Sequence, residues 1–289
     1  MSGDADSATA RAFIALQHVL PQHALTALVH RLTRVRLPLV KDALIGAFVR
    51  HYHPDLSEAE QPDPYCYESF NAFFTRGLRA GARPIDPDAR AVVAPVDGCV
   101  SQAGRLEGAC LLQAKGHAFT LDALLDGEPQ WAARFRDGAF ATLYLAPFNY
   151  HRVHMPLEGA LRAAWYVPGQ LFSVNATTAA SVPGLFARNE RLVLVFEHEA
   201  LCFALILVGA LFVGSISTVW HGQVTPAAQR RRGALAVTPG QRLARGAELG
   251  RFNMGSTVIL LLPPATADWS GGLVPGAEVR VGRRIGTRV

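Results

Sequence analysis

The chain is predicted to fold as an α+β protein, with N-terminal amphipathic helices followed by a β-rich, mostly antiparallel domain. Three observations lead there. Apolar residues recur at helical spacing between residues 12 and 50. From Ala91 onward the texture changes to short apolar runs punctuated by Gly and Pro, the mark of many strands joined by turns. No internal repeat, low-complexity segment or nucleotide-binding glycine loop interrupts that pattern.

In the first segment, Phe13, Leu16 and Leu20, then Leu25, Leu28, Val29 and Leu32, line one face of a helical repeat. Pro21 suits the first turn of a second helix, where its missing N–H is no loss. Arg31, Arg34, Arg36 and Lys41 gather beside the apolar stripe. A basic amphipathic pair of this kind can lie in a membrane interface. An ordinary helical bundle packed on the domain has the same pattern, and the residues leave both open.

Residues 54–90 are rich in Pro and Asp and enclose YESFNAFFTRGLR, a short helix whose aromatic face reads as core. Beyond them AVVAPVDGCV, ATLYLAPFNYHRVHMP, RLVLVFEH, LCFALILVG and STVILLLPP read as strands. The uncharged stretch Ala200–Ile216 falls short of the roughly 20 apolar residues that span a bilayer. It contains Gly209 and Gly214 and runs into β-branched residues, so it reads as two buried strands turning near Gly209.

Only 18% of the residues are charged, which is apolar for a soluble protein, yet the net charge is +5. Arginine supplies nearly all of it, since Lys41 and Lys115 are the only lysines. A basic surface attracts anionic lipid, nucleic acid or acidic substrates, and an arginine-rich composition with no such partner carries the same charge. Cys66, Cys99, Cys110 and Cys202 are scattered without CxxC or zinc-type spacing, and are expected to be free, buried thiols. The opening MSGDADSATA is acidic and small, so no secretory signal is expected.

Three local features can carry chemistry. Asp97 lies in APVDG, although Asp-Gly is among the commonest turn dipeptides. His151 and His154, in NYHRVHMP, are close enough to share proton-transfer work, and would face the same side only on a helix. The step Gly255–Ser256 enters a strongly apolar strand, but Gly214–Ser215 is a second such step, and spacing does not choose between them.

Taken together, the segments resemble bacterial phosphatidylserine decarboxylase of the membrane-associated, pyruvoyl-dependent type. The likeness covers nearly the whole chain, through LQHVLPQHALT, YESFNAFFTRGLRAGARPID, APVDG, LLQAKGH, FNYHRVHMPLEG, YVPGQLFSVN, LFARNERL, VGSISTVW and GRFNMGSTVI. That family carries LGST at its processing point, which here reads Met254-Gly255-Ser256-Thr257. The resemblance thus selects Gly255–Ser256 as the cleavage site.

The resemblance implies a proenzyme that cuts itself. Ser256 would attack the carbonyl of Gly255 and turn the amide into an ester; elimination and hydrolysis would then release ammonia and leave a pyruvoyl group. His154 would act as the base and Asp97 as the group orienting it, a charge relay with Ser-His-Asp logic. The products would be a β chain, 1–255, and an α chain, 256–289, held together by the strand TVILLLP. The pyruvoyl group from Ser256 is the only cofactor implied. It would form a Schiff base with phosphatidylserine and accept electrons as CO2 leaves, giving phosphatidylethanolamine, with His151 assisting turnover. No metal and no nucleic-acid partner is expected. Residues 1–60 would associate with an anionic membrane surface and 61–289 form the catalytic domain, placing the protein peripherally on the cytoplasmic face of the cell membrane; a homodimer is left open. The alternatives are a decarboxylase of another serine-headed phospholipid, a zinc hydrolase using His151 and His154, and a carrier domain loaded on Lys115.

Overall fold

The computed structural model describes residues 8–212, 215–225, 231–237, 240–254 and 256–289, with Ser256 described in its backbone alone. Helix α1 (Ala8–Val19) gives way to α2 (Gln22–Leu32) across an 87° bend. Pro21 makes the break, because it cannot donate to the preceding turn and its ring clashes there. Helix α3 (Pro38–Tyr52) starts with proline in its first turn and ends on His53, whose φ of 47° closes it in the left-handed region. A short helix, α4 (Phe70–Phe74), is capped by Ser69, whose Oγ accepts from the Ala72 N–H at 3.1 Å. Its face of Phe70, Phe73 and Phe74 packs with Ile45 and Phe48 of α3, so the aromatic cluster is core, as expected.

The two leading helices attach in an unusual sense. Gln17 is 1% exposed and accepts from the Ser173 N–H, Gln22 accepts from that of Leu171, and the Thr26 hydroxyl accepts from that of Phe212. Meanwhile Leu16, Val19, Leu28 and Leu32 face outward, joined by Leu37 and Leu39, the last 89% exposed. Polar side chains help anchor this layer, and these apolar residues are left uncovered.

A nine-stranded antiparallel sheet forms the body. At its centre the strand Ser256–Leu262 pairs on one edge with Ala139–Leu145, in register Ser256 to Leu145 through Leu262 to Ala139. On the other edge it pairs with Leu201–Val208, Thr257 opposite Val208. Gly98–Arg105 lies outside Ala139–Leu145, and Arg191–His198 and Gly159–Val167 lie outside Leu201–Val208. Both faces of the central strands are buried, and this is why they read as unbroken apolar runs instead of alternating ones. The stretch accordingly holds the strand Leu201–Val208, with Ile216–Thr218 a second one, and no single helix among the described residues is long and apolar enough to cross a membrane. The two do not form one hairpin, because Ile216–Thr218 belongs to another sheet.

That smaller sheet runs Gly222–Gln223, Ile216–Thr218, Glu248–Phe252, Arg152–His154. The chain leaves it after Phe252 and enters the large sheet at Ser256, so Asn253 and Met254 lie on the crossover between the two. All four cysteines are free thiols; Cys202 is buried, but Cys66 and Cys110 are exposed, which corrects the expectation that all would be interior.

Candidate active site

The sheet ladders bring the predicted residues to one place. Asp97 immediately precedes Gly98–Arg105, where Cys99 pairs with Tyr144, and Ser256 pairs with the next residue, Leu145. Three neighbouring strands therefore present Asp97, Leu145 and Ser256 at the same end of the sheet. Gly98 presses against the Tyr144 carbonyl, leaving no room for a Cβ. The backbone N–H of His154 donates to Pro95, at the start of the same APVDG turn, at 2.7 Å. The carbonyl of His151 accepts from the Phe252 N–H at 3.0 Å, at the entrance to the crossover. Gly255 lies outside the described residues, as does the side chain of Ser256.

The crossover is tightly held. Asn253 donates its side-chain N–H groups to Ser215 Oγ at 2.8 Å and Ser217 Oγ at 3.1 Å, and its carbonyl accepts from Asn71 at 2.9 Å. Met254 lines an apolar cavity of about 210 Å³ with Phe48, Tyr52, Phe74, Tyr144 and Leu145.

His154 has both ring nitrogens engaged. Nδ1 lies 2.8 Å from the Gly246 carbonyl and Nε2 3.0 Å from the Tyr150 hydroxyl. A carbonyl only accepts, so Nδ1 carries the proton and the neutral ring turns its Nε2 lone pair toward Tyr150. Gly246 takes φ +79°, a conformation glycine adopts without strain, and this aims the carbonyl. Burial lowers the pKa of His154, against the Gly246 bond and the negative fields of Glu248 and Asp97. Tyr150 is buried and its hydroxyl is pushed up to about 12, so it keeps its proton at neutral pH.

Asp97 does not hydrogen-bond to His154. Its carboxylate is gripped by Arg83, whose Nε donates to both oxygens at 3.0 Å, and by the Val281 N–H at 2.8 Å. Arg83 is shared with Glu58 at 2.8 Å. The group orienting His154 is thus the Gly246 carbonyl, and Asp97 acts on the ring through its field.

His151 is fully buried and packs against Phe74, ring centroids 4.1 Å apart. Its Nδ1 donates to the Asn149 carbonyl at 2.8 Å, and Nε2 has no partner among the described residues. Burial pushes its pKa down to about 3, so it is a neutral imidazole with an unused lone pair. The two histidines bracket a short extended strand and share no partner, as extended backbone dictates. Among the described residues no three His, Cys, Asp or Glu side chains are grouped to hold a metal, so the zinc reading lacks a third ligand. Lys115 sits in the exposed turn between Cys110–Leu112 and Ala118–Thr120.

Sequence reasoning missed Arg83, Tyr150, Gly246 and Asn253. Tyr150, the neighbour of His151, and Asn253, in the same segment as Ser256, gave a local signal; Arg83 and Gly246 are brought to the site by the fold.

A family model described as phosphatidylserine decarboxylase matches residues 70–287, and a second, described as PSD, matches residues 12–53. Curated relatives similar over nearly their full length are phosphatidylserine decarboxylase proenzymes. That of Azotobacter vinelandii is 52% identical over 96% of this chain and 98% of its own. That of Methylococcus capsulatus is 49% identical over 95% and 96%. That of Nitrosococcus oceani is 51% identical over 93% and 89%.

Proposed function

Since the chain belongs to the phosphatidylserine decarboxylase family, we propose that it cleaves itself between Gly255 and Ser256 and then converts phosphatidylserine to phosphatidylethanolamine and CO2. The observation that carries this reading is His154, held as a neutral Nδ1–H tautomer with its Nε2 lone pair turned to the Tyr150 hydroxyl and its backbone bonded to the APVDG turn, beside the sheet end where Ser256 begins.

The residues around position 256 fit a pyruvoyl group made there. It would begin a central strand beside an apolar cavity, near a buried histidine whose Nε2 has no donor. When formed, such a group supplies a carbonyl electron sink for the departing carboxylate.

The chain's own residues do the rest. In maturation, His154 Nε2 accepts the Ser256 proton, either directly or through the Tyr150 hydroxyl that contacts it. The Gly246 carbonyl keeps the ring oriented, and the fields of Glu248 and Asp97 stabilise the imidazolium that results. The Asp97–Arg83–Glu58 clamp fixes the APVDG turn against which His154 lies. In turnover, His151 Nε2 is the buried acceptor through which a proton is moved at the reacting carbon. The outward leucines of α1–α3, with Arg31 and Arg36 among them, support peripheral attachment to the anionic cytoplasmic face of the membrane.

Intact-mass spectrometry of the purified protein tests the proposal. We expect a 1–255 chain and a second chain whose first residue is a ketoacyl group, and a single inactive polypeptide from Ser256→Ala. Asp97→Ala and His154→Ala should block the cut, and His151→Ala should allow it but impair turnover. An active wild type that remains one chain would sink the proposal.

A further inference from the structure

Among the charged side chains near the site, Arg76 stands apart. It is 3% exposed, and its one hydrogen bond runs from Nη2 to the Phe148 carbonyl at 3.2 Å. Its Nε and Nη1 are buried with no partner, and among the described residues no carboxylate pairs with it. Arginine keeps its proton in a protein, so this is a buried cation even though burial lowers its pKa. An unpaired charge in such a place is strongly unfavourable, and the face of Phe73, 5.6 Å away, offsets only part of that.

The other cations that line its cavity are already committed. Arg76 lines a cavity of about 340 Å³ together with Arg83, Asp97, Tyr150 and Arg280. Arg83 is held by Asp97 and Glu58, and Arg280 by Glu58. The Asp55 carboxylate, in the same wall, accepts from the Ser57 N–H. Arg76 is the cation left over. On its other side it borders a groove where Glu248 takes both Arg152 and Arg251. The cavity also touches Tyr150, which contacts His154, and Asn149, which holds His151. An anion drawn to Arg76 would therefore sit beside the reacting centre.

We propose that Arg76 receives the phosphodiester of the phosphatidylserine headgroup, an inference that rests on the function proposed above. A guanidinium presents coplanar N–H donors that match phosphate oxygens. Turning it about its terminal torsions exchanges the Phe148 carbonyl for a ligand oxygen and swings an unpartnered N–H to the cavity wall. The headgroup carries a second anion, the serine carboxylate, and the chemistry decides between them. A carboxylate gives up its charge as CO2 departs, so a cation clamped on it would favour the ground state over the transition state. The phosphodiester keeps its charge throughout and lies only a few bonds from the reacting carbon. Holding it is uniform binding, which sets KM and leaves kcat.

The test uses the self-cleaved two-chain enzyme in mixed micelles with two substrates. One is phosphatidylserine; the other is a serine-headed lipid whose phosphodiester is replaced by an uncharged methylphosphonate ester. Wild type should prefer the charged lipid about tenfold or more in kcat/KM, through KM, as the loss of a charged hydrogen bond implies. Arg76→Gln should self-cleave, keep kcat, raise KM for phosphatidylserine about tenfold and lose the preference. Arg76→Lys should keep part of it. A cleaved Arg76→Gln enzyme that retains the full preference, or loses kcat at unchanged KM, overturns the assignment. So does equal handling of both lipids by wild type, and so does failure of both variants to fold, which would assign Arg76 to the scaffold. A wild type that self-cleaves yet decarboxylates neither lipid overturns the proposed function itself.

Discussion

His151 and His154 are both kept neutral by burial, but their neighbours differ, and the difference has consequences that can be measured. His151 is sealed against Phe74 with one nitrogen unused, and burial, joined by the positive charge of Arg76 and opposed by the Asn149 hydrogen bond, pushes it down to about 3. His154 is lowered by burial too, but Gly246, Glu248 and Asp97 pull the other way. Because the folded value lies below the 6.5 of free imidazole, the unfolded chain binds more protons in the window between the two. Stability from His151 is complete above about pH 6.5 and is lost as pH falls toward 3, by at most about 1.4 kcal/mol per pH unit. Urea unfolding of the uncut Ser256→Ala protein between pH 7 and 4 should show this slope, and His151→Gln in the same background should flatten it. An unchanged slope would mean that another group titrates. Asp97 teaches a different lesson at this scale: it is where the sequence predicted, but its partner is Arg83. Those two residues lie in irregular chain, where no periodicity announces which side chains meet.

At the scale of elements, the helix pair α1–α2 inverts the usual arrangement. Gln17, Gln22 and Thr26 make buried contacts to backbone N–H groups and Ile14 packs on the core, while Leu16, Leu28 and Leu32 point away from the protein. Hydrophobic spacing revealed the helices and the apolar stripe but not which way the stripe faces, because a buried stripe and a membrane-facing one have the same period. A leucine moved from water into acyl chains gains about 1.5–3 kcal/mol. Leu28→Glu and Leu39→Glu should each weaken binding to anionic vesicles about tenfold or more in sedimentation assays. The melting temperature should hardly move, since neither side chain is packed against the protein. If melting fell and vesicle binding did not, the stripe would be covered by protein instead.

For the whole molecule, the decisive feature is where the strand beginning at Ser256 lies. It is flanked by hydrogen-bonded neighbours on both edges, and Val258 through Leu262 are fully buried. Farther on, Glu278–Val279 pairs with Gly98–Cys99, and Arg284–Arg288 pairs with Ala91–Val93. Residues 256–289 are thus woven into the N-terminal part of the chain at three places. The two products of self-cleavage should co-elute in gel filtration under native conditions and separate only at the denaturant concentration that unfolds the whole protein. Loss of the smaller chain in native buffer would show that these ladders do not survive the cut.

The amino-acid sequence by itself determined the class of fold, the strands of the central sheet, the family, and the identity of Asp97, His151, His154 and Ser256 as the residues to watch. The fold class and the strands follow from composition and period, whereas the family and those four residues follow from the resemblance of ordered segments to a known family. Only the tertiary structure decided that Asp97 is clamped by Arg83, that Gly246 orients His154, that Arg76 is buried without an anion, and that Leu16, Leu28 and Leu39 face outward. Each of these depends on which distant segments share a wall of the protein. Burial, tautomer and pairing are set by that packing, and no linear pattern encodes it.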